Sequence, residues 1–139
     1  MESELPEPFV DAVDEPNPQL NGITNVIIGA AIEVHRWLGP GLPESIYEES
    51  LAMAFEARGV SFVRQHCTLV HYKGKEVGKF RLDFLVEGCV IVEIKSVDVL
   101  AALHSAQLVT YLRVSGYRLG LLIKFNVCLL KDGVRRIAH

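Results

Sequence analysis

The segment Val90-Ile91-Val92-Glu93-Ile94-Lys95 constrains this chain more than any other, because it sets two charges into a β-branched, strand-forming run. Strand side chains alternate faces, so Val90, Val92 and Ile94 share one side and Ile91, Glu93 and Lys95 the other. Such a pair reads in two ways. It is an incidental ion pair on a solvated strand face, or it sits at a central position where a partner or metal offsets the cost of burying charge.

The run before it, Arg81-Leu82-Asp83-Phe84-Leu85-Val86, holds another acid between large apolar neighbours. Asp83 and Glu93 can share an ion only from one face. A two-residue turn pairing Val86 with Cys89 sets Asp83 opposite Val92, on the wrong face. A three-residue connection through Glu87-Gly88-Cys89 pairs Val86 with Val90 and Asp83 with Glu93. One step of register flips every side chain, so a shared site requires an odd connection or a bulge here.

Around these strands the pattern is that of one α/β domain. The 139 residues suit a single core, and half of them are hydrophobic. Residues 1–20 hold four prolines and many acids and read as a flexible arm, with one domain over 21–139. Apolar residues recur at helical spacing over 25–38, and Gly39-Pro40-Gly41 must end that helix. Pro43 suits the first turn of a second helix with the stripe Tyr47, Leu51, Ala54 and Phe55, and Gly59 ends it. Strands are expected at 68–72, 80–86 and 90–97, with a turn at Lys73-Gly74. A third helix is expected over 100–114, capped by Ser96 or Asp98, with an apolar stripe of Leu100, Leu103, Gln107, Tyr111 and Val114. A buried strand at 118–125, the turn Lys131-Asp132-Gly133 and a short last strand complete a mixed sheet with helices layered on it.

Charge and cysteine usage narrow the setting. Residues 1–15 carry six acids and no base, whereas from Gly59 onward there are 12 bases against 6 acids. The basic half reads either as a phosphate-facing surface, for which the acidic arm could compete, or as an ordinary solvated one. Cys67, Cys89 and Cys128 have no zinc spacing and form no obvious disulfide set, so a reducing, cytoplasmic setting is expected. No run is long and apolar enough for a membrane helix, and no secretory signal is evident.

Other residues stay open at this level. Glu44 leans with Tyr47 and Leu51 toward the core, or simply favours the helix dipole in a first turn. Gln107, with His104 one turn before it, is a satisfied core amide or part of a site. His35 has a structural role or a supporting one.

Gly41-Leu42-Pro43-Glu44-Ser45-Ile46-Tyr47 resembles the signature of the GxxExxY proteins. Val34-His35, Leu38-Gly39-Pro40-Gly41, Tyr72-Lys73-Gly74, Arg81-Leu82-Asp83, Val92-Glu93-Ile94-Lys95, Ala106-Gln107-Leu108 with Tyr111-Leu112, and Lys131-Asp132-Gly133 with Arg136 are similar to that family in order and spacing. The resemblance covers about residues 22–138 and implies the PD-(D/E)XK nuclease superfamily, with its restriction-endonuclease-like three-layer core. The superfamily's namesake proline is absent, and Leu82 stands before Asp83.

The resemblance assigns Glu44 to the early-helix acid, Asp83 to the hairpin acid, and Glu93 with Lys95 to the E-x-K pair. It implies Mg²⁺ or Mn²⁺ held by Asp83, Glu93, Glu44 and the Ile94 carbonyl, and hydrolysis of nucleic acid, DNA rather than RNA. Lys95 would orient or help deprotonate the attacking water and stabilise the transition state. Gln107 would position Lys95 or the phosphate, with Tyr111, His35, His104 and Tyr47 in support. Lys73, Lys75, Lys79, Arg113, Arg135 and Arg136 would contact the phosphate backbone, and concerted cutting of two strands would call for a homodimer. The alternatives are a non-catalytic module that binds nucleic acid or protein on the same fold, and a small-molecule hydrolase.

Overall fold

The computed structural model describes residues 17–97 and 101–139. Helix α1 spans Pro18–Leu38. The Asn17 side chain accepts the Leu20 N–H at 3.2 Å and Pro18 opens the first turn, a start signal that precedes the apolar spacing. The helix therefore begins before the expected residue 25 and takes in residues 18–20 of the expected arm, with Leu20 buried in the core. The rest of that arm, residues 1–16, lies outside the described residues.

Helix α2 spans Glu44–Ala57 and packs on α1. Between them Gly39 and Gly41 take φ of 74° and 93°, which a side chain would strain. The sheet consists of β1 (Phe62–Tyr72), β2 (Lys75–Val86), β3 (Val90–Lys95), β4 (Leu119–Lys124) and β5 (Val134–Ala138), in the order β1-β2-β3-β4-β5. Among the described residues only β3 and β4 pair in parallel, and α3 (Ala102–Ser115) lies in the crossover that joins them. A 3-10 turn at Leu130–Gly133 leads into β5.

The layers follow from the side-chain alternation. Phe84, Val86, Val90, Val92, Leu121 and Ile123 face α1 and α2, where Tyr47 stacks on Phe125 at 4.5 Å. Leu85, Ile91, Leu122 and Ile137 face α3, through Leu108, Val109 and Leu112. Being covered on both sides, β3 and β4 are buried along almost their whole length. The result is a three-layer α/β domain with a central mixed sheet.

The expected stripe of α3 is corrected. Leu103 is 77% exposed and Val114 is exposed, while Ser105, Leu108, Val109 and Leu112 form the buried face. At 3.6 residues per turn the true stripe lies one position away, and Gln107 and Tyr111 are half-buried on its flank rather than at its centre. Gly116 in the left-handed conformation ends the helix. Ala101, not Ser96, stands at its N-cap, and the expected Asp98 and Leu100 lie outside the described residues.

Candidate functional site

The β2–β3 connection has the odd count that a shared face requires. Glu87 and Gly88 both take positive φ in a tight turn closed by Cys89 N–H to Val86 O at 3.0 Å, and Cys89 is the extra residue. Val86 thus pairs with Val90, Leu85 with Ile91 and Phe84 with Val92. The ladder stops at Phe84–Val92, one step short of Asp83 and Glu93.

Side chains complete what the backbone leaves open. Glu93 Oε2 accepts the Asp83 N–H at 2.8 Å, and Asp83 Oδ2 accepts the Ile94 N–H at 2.8 Å. The Glu44 carboxylate lies near the Ser96 backbone N–H. Ile94 offers its N–H to the edge of the chain where β2 has left β3. A strand residue's N–H and C=O point the same way, so the Ile94 carbonyl is on this edge too.

Lys95 completes the group. Its Nζ donates to Gln107 Oε1 at 3.2 Å, which ties the end of β3 to α3. Tyr111, one turn further, stacks on Phe80 at 4.3 Å and anchors α3 to β2. Burial, helped by the charges of Glu93 and Asp83, pushes the Tyr111 hydroxyl pKa up.

The carboxylates are electrostatically crowded. Burial, reinforced by the Asp83 charge, pushes Glu93 up to about 8; its side chain is almost wholly inaccessible. Burial raises Asp83, with the Glu48 charge adding to it and the Ile94 hydrogen bond opposing it. Burial and then the Asp83 charge raise Glu44, against the pull of Lys95. A hard dication would offset this repulsion, and the donor set of carboxylate oxygens with a carbonyl suits Mg²⁺ or Mn²⁺. Among the described residues, no three His, Cys, Asp or Glu side chains gather tightly enough to chelate one ion. The fit is therefore to the Asp83 and Glu93 pair with waters filling the shell, as Mg²⁺ favours.

Two side chains of the site were not singled out from the sequence. Gln65 lies across from Asp83 on β1, at a rung where the pairing skips from Arg64–Phe84 to His66–Leu82. Its φ is 50°, and its Nε2 donates to Glu48 Oε1 at 3.0 Å with a longer contact to Asp83 Oδ1 at 3.5 Å. Glu48 in turn is held by Arg64 at 3.0 Å. The spacing of Glu48 one helical turn after Glu44 was the available signal; the left-handed Gln65 had none.

The expected supporting residues act at a distance. The Tyr47 hydroxyl donates to Gly39 O at 2.5 Å and accepts the Leu42 N–H at 3.1 Å, so it pins the loop that delivers Glu44. His35 Nε2 bonds Val127 O at 2.8 Å and stacks near Phe125, away from the carboxylates. His104 Nδ1 accepts the Ala101 N–H at the start of α3 and has no bond to the site. Both histidines are corrected to structural positions.

The bases divide. Lys73, Lys75 and Lys79 are exposed on the β1–β2 hairpin, and Arg113 is exposed on α3. Arg135 donates to Ser105 Oγ at 2.7 Å on the α3 side, whereas Arg136 donates to Asn21 Oδ1 on the α1 side. These two half-buried arginines point to opposite faces because they are strand neighbours.

No helix among the described residues is long and apolar enough to cross a membrane. A sequence model of the PD-(D/E)XK nuclease superfamily matches residues 21–137. No curated protein and no solved structure shows a significant match to this chain. The family match spans both helices before the sheet, the carboxylate-bearing hairpin and the Gln107 helix alike, and the chain belongs to the PD-(D/E)XK nuclease superfamily.

Proposed function

We propose that this protein is a metal-dependent phosphodiester hydrolase of the GxxExxY branch, acting on nucleic acid, DNA rather than RNA, in the cytoplasm. The carrying observation is the pairing of Asp83 and Glu93 across the end of the β2–β3 ladder, beside Lys95 held by Gln107. Asp83, Glu93 and the Ile94 carbonyl would hold Mg²⁺ or Mn²⁺, with Glu44 reached through water. The bound ion would supply a lowered water pKa and charge compensation on the scissile phosphate.

The chain's own part is positioning and charge. Gln107 Oε1 fixes the Lys95 ammonium, whose charge acts on Asp83, Glu93 and Glu44. There Lys95 orients the attacking water and stabilises the extra negative charge of the pentavalent phosphorus. Glu44, beside the end of β3, takes up part of the positive field of Lys95. A second reading, a binding module without chemistry, is favoured by the lack of a three-residue metal cluster among the described residues.

Cleavage of single- and double-stranded DNA and RNA, with Mg²⁺, Mn²⁺ or chelator, separates the two. The hydrolase reading predicts metal-dependent cleavage that Asp83→Ala and Lys95→Ala abolish. Binding without cleavage by the unaltered protein supports the module, and equal cleavage by all three proteins identifies a contaminant.

A further inference from the structure

Strand β2 pairs with β3 only over its last residues, from Phe84 to Val86, yet it runs back to Lys75 paired with β1 alone. The two strands therefore leave the sheet as a two-stranded ribbon. Near its base one face is covered: Phe80 lies on Tyr111 and Leu82 is buried against α3. Beyond that, residues 71–79 are all exposed, so both faces of the tip stand in solvent. A two-stranded ribbon gains little from folding alone, and its persistence here asks for an occupant.

Its charge indicates which. From Phe62 to Arg81 the ribbon carries Arg64, Lys73, Lys75, Lys79 and Arg81 with His66 and His71, against the single acid Glu76. Arg64 is engaged by Glu48 and Glu49 at the base. Lys75, Lys79 and Arg81 have no acidic partner among the described residues. Alternation puts Lys79 and Arg81 on the exposed face while Phe80 and Leu82 turn to α3. The alternation breaks at Asp83, since Leu82 and Leu85 both turn to α3 while Phe84 turns to α1 and α2. A polyanion laid along the ribbon would meet these cations with only Glu76 opposing it.

We propose that the free end of the β1–β2 ribbon seats in the major groove of duplex DNA, with Lys79 and Arg81 contacting one strand's phosphates. The major groove of B-DNA is about 12 Å wide and admits a two-stranded ribbon. The major groove of A-form RNA is too deep and narrow for it. Exposed Leu69, Tyr72 and Val77 at the tip provide apolar contact within the groove. What happens to the phosphate at Asp83 rests on the hydrolase reading; the docking rests on the ribbon's exposure and charge.

The test measures binding of the full chain to a labelled DNA duplex of two helical turns in chelator, beside an RNA duplex of the same sequence. Lys79→Ala/Arg81→Ala is compared with Arg36→Ala/Lys131→Ala, a pair of equal charge change at exposed positions elsewhere. All proteins are first checked for unchanged melting. The ribbon pair should weaken DNA binding about tenfold or more at 0.1 M salt and lower the salt slope by about two, with the other pair near unaltered. RNA duplex should bind more weakly and respond equally to both pairs. Equal loss from both pairs, equal sensitivity of RNA and DNA, or a change in oligomeric state in place of DNA affinity would each overturn the proposal. Cleavage is scored separately: metal-dependent cutting with ribbon-independent binding rejects the docking and keeps the hydrolase, whereas ribbon-dependent binding without any cutting does the reverse.

Discussion

Asp83 and Glu93 are joined by an exchange in which each side chain takes a backbone N–H from the other's strand: Glu93 Oε2 from Asp83, and Asp83 Oδ2 from Ile94. The exchange lets β2 diverge from β3 without leaving those donors unpaired, and it brings two carboxylates together where the strands part. Holding both ionised in a buried setting is unfavourable without a cation.

That imbalance predicts a pH dependence. Glu93 titrates near 8 in the fold against 4.5 as its ordinary value, so the folded state binds its proton more tightly. The resulting stability is fully present below about pH 4.5 and is lost as pH rises through 8, because over that window the folded state holds more protons than the unfolded one. Asp83 and Glu44 shift in the same direction. In chelator, the melting temperature of the unaltered protein should fall relative to that of Glu93→Gln between pH 5 and 8, measured by calorimetry. Mn²⁺ should raise it more at pH 8 than at pH 6. Parallel curves for the two proteins would remove the electrostatic account of Glu93.

Lys95 and Gln107 should separate binding from turnover. Lys95→Ala leaves the carboxylates in place but removes the ammonium, so cleavage should drop about 100-fold or more with little change in Mn²⁺ affinity. Gln107→Ala frees Lys95 and should cost about tenfold in rate through lost positioning. Single-turnover cleavage and a metal titration on the same variants check both.

Tyr47→Phe should keep the stack on Phe125 and lose both loop hydrogen bonds. A cost of about 1–3 kcal/mol is expected, since the Leu42 N–H loses its partner. Urea unfolding reads it directly, and the Glu44 contribution to metal affinity should weaken alongside.

Gly133 tests the approach to β5. A Cβ there would come within 2.1 Å of the Lys124 carbonyl oxygen, so Gly133→Ala must push the backbone apart. The expected loss is about 1–3 kcal/mol, from urea unfolding. Unchanged stability would mean that the turn relaxes freely.

Much of this arrangement was legible in the chain itself. Period-two alternation makes a one-residue register error so consequential that the Glu87-Gly88-Cys89 connection could be deduced from the need to bring Asp83 to Glu93. The second helix was readable because Tyr47, Leu51, Ala54 and Phe55 all serve one core. The third was misread because its apolar residues ring the helix: Leu103 faces solvent while Ser105 is fully buried, and hydropathy does not separate them. The α1 start was missed because Asn17-Pro18 is a capping signal inside a proline-rich stretch. Gln65 could not be found, because its left-handed backbone answers to where β2 leaves the sheet, a tertiary event.

The most direct measurement is Mn²⁺ binding at pH 8, followed by electron paramagnetic resonance on the full chain and on Asp83→Asn and Glu93→Gln. The account predicts one saturable site in the unaltered protein, lost or weakened about tenfold or more in each variant while both remain folded. Saturable binding that survives both substitutions, or none in the unaltered protein, would contradict it.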